Sequence, residues 1–273
     1  TPLRVEAEVT ADGEPRSRTV SLYVSRSPQQ QEGIAADDIR YEKRAEETVI
    51  IGDGESLTLS FAVGGLEQGL HFGRVQIEEG DALDCDNRRY FAVEVRPPWP
   101  VLIVAPDPPE YHAVYVDQAL APEIFRRTGT ARFETTVISY TQLAAEPLDN
   151  YAAVLLLDPR PLDVQLWERL AEYAAQGRGL ALALGRRASD IDAMNRPGPQ
   201  RILPGKLLVQ ARSGDGQFTL APQEYAHPAL RAFRSVAGTV PWDAFPVYRY
   251  WVLDELDDSA NVLIPFGDGR PAM

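Results

Sequence analysis

Five residues are of types, and stand in places, that could hold a polar ligand or move a proton: Asp107, Asp158, Arg186, Arg187 and His227. The acids and arginines follow short apolar runs that read as buried strands. Val101 to Ala105 precedes Asp107, Tyr151 to Leu157 precedes Asp158, and Leu180 to Leu184 precedes Arg186 and Arg187. In an open α/β sheet, ligands sit at the carboxyl ends of the strands. Ser139 and Tyr140 stand at the end of a further strand, Arg132 to Ser139. Asp158 with Arg186 would make a polar ligand site, and His227 could act as a base. A plainer reading stands beside this one. Asp107-Pro108 and Asp158-Pro159 are common turn dipeptides, and His227, before Pro228, suits a structural role at an element edge.

Nucleophilic catalysis on an α/β sheet uses a sharp strand-to-helix elbow, G-x-S-x-G or its cysteine counterpart. Leu180 to Leu184 leads into Gly185-Arg186-Arg187-Ala188-Ser189, with neither the second glycine nor a nucleophile where the elbow needs it. Ser189 lies too far along and reads as a helix cap, with Asp190 and Asp192 as favourable first-turn anions. No catalytic residue is assigned. Cys85, the one cysteine, lies outside any elbow and excludes a disulfide, a CxxC pair and a zinc ribbon.

No metal and no cofactor is expected. His71, His112 and His227 are far apart and match no ligand spacing. Asp81, Asp84, Asp86 and Asn87 form an acidic turn without EF-hand spacing, read as stabilised by its own side chains. Asp254 to Asp258 reads as a solvated turn. Gly64-Gly65 and Gly214-Asp215-Gly216 lack the context and the lysine of a phosphate loop.

These residues need a scaffold, and the chain has the length for two domains at 273 residues. A hydrophobic share of 44% and a charged share of 25% are those of a packed globular chain. The net charge of -13 argues against nucleic acid as a partner, because phosphate contacts need a basic face. No signal peptide opens the chain, and no apolar run reaches the ~18 residues of a membrane helix.

Residues 1–97 read as all-β. Leu3, Val5, Ala7 and Val9 alternate with polar residues, as do Val20, Leu22 and Val24, then Leu57, Leu59, Phe61 and Val63. Phe72, Val75 and Ile77, then Phe91, Val93 and Val95, complete the set, with glycine-bearing turns between. Glu32 to Asp38 reads as a loop. Pro97-Pro98-Trp99-Pro100 reads as a short stiff linker. Beyond it, strands alternate with helices, which implies a parallel sheet covered on both faces. Tyr111 to Arg127 has helical spacing, and Leu162, Leu166, Leu170 and Ala174 mark an amphipathic helix beside Trp167, ended by Gly177. From Leu203 the pattern turns β-rich.

The stretch Gly69 to Ile77 followed by Asp81 to Phe91 resembles the end of an adhesion-type, immunoglobulin-like sandwich from large bacterial membrane proteins of the aerotolerance-regulator type. In that family a class I glutamine amidotransferase-like domain follows. Val101 to Val104, Tyr151 to Leu157 and Gly179 to Gly185 resemble its core strands. His227 to Leu230, Tyr248 to Trp251 and Phe266 to Ala272 resemble its later landmarks. The resemblance implies a flavodoxin-like parallel sheet over residues 98–273, truncated at its end, after an immunoglobulin-like sandwich over 1–97. It implies a membrane-anchored parent and an extracytoplasmic, periplasmic place for this piece, whose ends, Thr1-Pro2-Leu3 and Arg270-Pro271-Ala272-Met273, read as those of an excised fragment. True amidotransferases need an elbow cysteine and a later His-x-Glu pair. Here Gly185-Arg186-Arg187 and His227-Pro228-Ala229 stand instead.

Three functions are therefore expected in order: a non-catalytic interaction or ligand-sensing module with an unknown protein partner or small ligand, a hydrolase with an unrecognised site at the strand ends near Asp158, Arg186 and His227, and a carbohydrate- or peptide-binding module with an aromatic platform of Trp99, Trp242, Tyr248, Tyr250 and Trp251. The alternative for those rings is core packing.

Overall fold

The computed structural model describes residues 3–11, 13–26, 39–80, 83, 85–212 and 218–273. The loop reading of Glu32 to Asp38, most of the acidic turn's carboxylates (Asp81 and Asp84) and Gly214-Asp215-Gly216 lie outside the described residues. The chain divides into two compact units, Thr1–Pro98 with Thr128–Arg132, and Trp99–Arg127 with Phe133–Met273.

The first unit is antiparallel β. Its strands are β1 (Leu3–Ala11), β2 (Arg16–Ser25), β3 (Tyr41–Ile51), β4 (Glu55–Val63), β5 (Gly69–Ile77) and β6 (Arg88–Val95). β1 pairs with β4, and the other four form a sheet in the order β3-β2-β5-β6. Alternation decides which side of each strand is apolar. Val9, Leu59, Phe61 and Val63 from the smaller sheet meet Val20, Leu22, Val24, Val49 and Ile51 from the larger in one core.

Phe72, Val75 and Ile77 do not share a face, because an odd spacing puts residues on opposite sides of a strand. Val75 and Ile77 pack on the core, and the buried His71 lies on their side of β5. Its Nε2–H donates to the Glu67 carbonyl at 2.9 Å, which leaves Nδ1 to accept from the Ser25 hydroxyl at 3.3 Å. Gly73 is opposite Phe91, and the ring lies over it. A Cβ at Gly73 would stand 2.1 Å from the ring. Gly73→Ala is expected to lower unfolding free energy by about 1–2 kcal/mol, since the ring must leave its place. Urea denaturation measures this, and an unchanged midpoint contradicts the packing.

On the other face of the sheet, Tyr23 Oη–H donates to Glu78 Oε1 at 2.5 Å, and Lys43 Nζ lies 3.2 Å from the same oxygen. The Tyr23 hydrogen bond, with Lys43 behind it, holds the Glu78 carboxyl down from 4.5 to about 2. A lowered folded pKa gives stability that is complete above 4.5 and lost as pH falls through about 2. The stability difference between the wild type and Glu78→Gln should therefore shrink between pH 4.5 and about 2. Acid titration of both proteins checks this, and a constant difference contradicts it.

The second unit is built on four parallel strands: β7 (Trp99–Ala105), β8 (Phe133–Ser139), β9 (Ala153–Leu157) and β10 (Gly179–Ala183). Their order is β10-β9-β7-β8, so the chain reverses direction across the sheet between β7 and β9. β7 is buried on both faces. Val101, Ile103 and Ala105 pack with Ala113 on one side, and Leu102 and Val104 pack with Trp167 and Leu170 on the other. Trp99 and Pro100 belong to this strand rather than to a linker. Pro100 has no N–H to give, but its carbonyl accepts from Ala152 N–H at 2.8 Å.

The helical reading of Tyr111 to Arg127 resolves into α1 (Pro109–Leu120) and α2 (Glu123–Arg127). Pro122 between them cannot donate to the preceding turn. Asp117 ties the pieces together, accepting from Arg126 Nη2 and Thr135 Oγ1, each at 2.5 Å. On the other face, α3 (Val164–Ala175) buries Trp167, Leu170, Ala171 and Tyr173, with Leu162 and Leu166 half-buried beside them. Gly177, at a φ of +83°, ends it. Two short helices follow, α4 (Ile191–Met194) and α5 (Pro197–Gln200), then an antiparallel pair, β11 (Lys206–Arg212) and β12 (Arg249–Asp254). The cap of α4 is Asp190, which accepts from Ala193 N–H at 3.0 Å, and not Ser189. Among the described residues, no helix is long and apolar enough to cross a membrane.

Candidate functional site

The strand topology puts Asp107 after β7 and Asp158 after β9, on either side of the point where strand order reverses. That is where open α/β sheets form a crevice. Arg186 and Arg187 follow β10 in a short 3-10 turn, and Ser139 and Tyr140 close β8. Asp107 and Arg186 are exposed, and neither has a hydrogen bond or ion pair among the described residues.

Asp158 is the residue with partners. Its backbone sits at a φ of 47°, a left-handed conformation that non-glycine residues adopt at a cost. Two hydrogen bonds hold it there. Its N–H donates to the Ala183 carbonyl at 2.8 Å, extending the β9–β10 pairing, and its Oδ1 accepts from Arg187 N–H at 2.8 Å. Oδ2 lies 3.8 Å from Arg187 Nε. Asp158 therefore pairs with Arg187, not with Arg186. The arginine side chain is 47% exposed, so this ion pair adds little, and the backbone hydrogen bond is the stronger tie.

The carboxylate fills the elbow. A Cβ at Gly185 would stand 2.4 Å from Asp158 Oδ1, 2.5 Å from Cγ and 2.9 Å from Cβ. Only glycine fits at 185 while Asp158 keeps this place, and the Arg187 N–H of the turn is already taken. From the other side, Trp251 Nε1–H of β12 donates to the Gly185 carbonyl at 2.7 Å. Behind Asp158, Tyr140 Oη–H donates to the Leu157 carbonyl at 3.0 Å. Burial first, and the Asp158 charge second, push the Tyr140 phenol up, so it stays a proton donor at any physiological pH. The Ser139 hydroxyl is taken by Thr141 Oγ1 at 2.6 Å. The crevice thus holds a bound carboxylate and a closed elbow, with no activated oxygen or sulfur nucleophile among the described residues.

His227 does not join this group. It is exposed, and its Nδ1 accepts from Ala229 N–H at 3.2 Å within its own turn. His112 is exposed and rests edge-on against Tyr111, with ring centroids 5.4 Å apart. A cavity of about 320 Å³ is lined by Glu224, Tyr225, Ala226 and Arg234 and includes none of the five candidates. The aromatic residues divide. Tyr250 and Trp251 are buried, Trp242 is half-buried, and Trp99 and Tyr248 are exposed. Tyr250 stacks on Phe266 at 4.1 Å and donates to Asp268 Oδ2 at 2.5 Å, and Trp242 Nε1–H donates to Tyr225 Oη at 3.2 Å. Cys85 is exposed in a turn. Among the described residues no three metal-ligating side chains converge.

Gly185 and Trp251 belong to the site although neither is among the five candidates read from the sequence. The signal for Gly185 is in the sequence: a glycine just past an apolar strand, next to an aspartate just past the neighbouring one.

No family model matches the chain, and no curated protein does. Weak structural likenesses exist. A GH3 beta-glucosidase of Bifidobacterium adolescentis is 17% identical over 34% of this chain and 15% of its own, at a TM-score of 0.26. A beta-glucosidase of Listeria innocua is 20% identical over 34% and 13%, at 0.25. A cycloisomaltooligosaccharide glucanotransferase of Paenibacillus sp. is 12% identical over 83% and 30%, at 0.26. The chain thus spans a small part of each, and likenesses this slight carry no argument about its chemistry.

Proposed function

We propose that this chain is a non-catalytic interaction or ligand-sensing module of a larger, membrane-anchored protein, held outside the cytoplasm. Its first unit is an immunoglobulin-like sandwich, and its second a degenerate class I glutamine amidotransferase-like domain. The observation that carries the reading is the elbow itself, where an arginine tied to the Asp158 carboxylate stands in the nucleophile's place. Counted from Gly185, the nucleophile of a G-x-S-x-G elbow would stand at 187, where the chain carries Arg187 with its N–H bound to Asp158 Oδ1. The sheet order supports the fold reading. With the strands counted from β7, it is second, first, third, fourth, the order of flavodoxin-like sheets.

The crevice chemistry suits recognition rather than turnover. It offers the exposed Asp107 and Arg186 beside an Asp158–Arg187 pair, a set of fixed charges without a reacting atom.

Fractionation of the source cells, with an antibody to this chain, tests the setting. The expected band is much larger than the chain itself, sediments with membranes and is cleaved by protease added outside the cytoplasmic membrane. A protease-protected cytoplasmic band of the chain's own size contradicts it.

A further inference from the structure

The outer face of the β3-β2-β5-β6 sheet carries a cation without a counter-ion. Arg74, on β5, is half-buried. Its guanidinium carbon lies 4.8 Å from the Tyr23 ring centroid and 4.9 Å from that of Tyr41. Its Nε is shut off from solvent and has no hydrogen-bond partner. Among the described residues no carboxylate pairs with it. Next along the strand face, Gln76 Oε1 is also buried and unpartnered.

Two carboxylates of this sheet face are engaged elsewhere. Glu78 takes Tyr23 Oη and Lys43, and Glu46 takes Lys43 at 3.0 Å. Register sets Tyr23, Arg74 and Tyr90 in one row across β2, β5 and β6, and Ser21, Gln76 and Arg88 in the next. Tyr90 is 59% exposed, and Arg88 is exposed. In a chain of net charge -13, this row leaves positive charge uncompensated.

A half-buried guanidinium normally finds an acceptor, and among the described residues no carboxylate is paired with Arg74. Two rings hold the guanidinium in place, and a planar fork matches a carboxylate through two parallel hydrogen bonds. Tyrosine and arginine together are also the residues that dominate binding energy at protein interfaces. We propose that this face docks an acidic segment of a protein partner, with Arg74 clamping a carboxylate through its two Nη groups. The proposal concerns the first unit alone and does not rest on the second unit's being non-catalytic.

The test is an NMR titration of the full chain with a capped hexaglutamate peptide, read at the Arg74 Nε–H and at the backbone amides of Gly73 and Gln76. A saturable shift is expected, with Kd near 1 mM or below. Arg74→Lys keeps the charge but loses the fork, and should bind at least about tenfold more weakly. Tyr41→Leu keeps the guanidinium but removes one ring, and should bind about threefold more weakly. Equal binding by Arg74→Lys, or no saturable shift up to about 10 mM, overturns the proposal. Glutarate and inorganic phosphate are run alongside. A shift as strong with glutarate, at equal carboxylate, makes this a site for free acids and overturns the protein assignment. A stronger response to phosphate overturns the carboxylate assignment.

Discussion

Replacing Trp167 with alanine is expected to lower the unfolding free energy of the α/β unit by about 3–5 kcal/mol. Trp167 is 1% exposed and among the largest fully buried side chains of the chain. It stands on α3 in the core that joins Leu102, Val104 and Leu156 of the sheet to Leu203, Leu207 and Trp251. Gly198 of α5 lies against it, a Cβ there falling 3.3 Å from Trp167 Cβ. Alanine would leave a void walled by the sheet, two helices and β11, and parts held by so many other contacts cannot collapse into it. The indole N–H has no partner. Trp167→Phe discards that orphan donor and keeps most of the volume, so its cost should stay below about 2 kcal/mol. Denaturant unfolding of the two variants checks the contrast. Equal losses contradict it.

The second large effect lies at the elbow. Gly185→Cys sets a thiol at the head of the elbow, two residues before the nucleophile's place, and should yield no glutaminase. It should also lower stability by about 2–4 kcal/mol. The new Cβ falls inside the Asp158 carboxyl group, so Asp158 must swing out and release Arg187 N–H. The Trp251 hydrogen bond to the Gly185 carbonyl limits how far residue 185 can move instead. A double-mutant cycle isolates the cause. Asp158→Gly suits the φ of 47° and removes the obstructing carboxyl. Gly185→Ala should therefore cost at least about 1 kcal/mol less beside Asp158→Gly than alone. Additive effects would show that the two residues do not compete for the same space.

The strands of the sheet were readable because a run such as Val101 to Ala105 has no polar side to offer solvent, and its two faces pack on two different clusters. The first unit's alternation was readable for the opposite reason, one wet face and one dry face, as on β4. The sequence misled at Phe72, where a glycine took a core position because a neighbouring ring covers it, and at Pro122, which splits a helical stretch. At the crevice, the places of Asp107, Asp158, Arg186 and Arg187 follow from the strand ends. Which arginine meets Asp158 does not, because that depends on a left-handed turn at Asp158 and on the backbone of residue 187. His227 lies far along the chain in sequence, and no local pattern says where a residue after β11 returns.

The most direct measurement is ammonia release from glutamine by the wild-type chain, with Asp158→Asn and Arg187→Ala measured in parallel. The closed elbow predicts no release above the buffer blank in any of the three. Turnover by the wild type that either substitution abolishes would contradict the account, because it would make the Asp158–Arg187 pair part of a working site rather than the group that fills one.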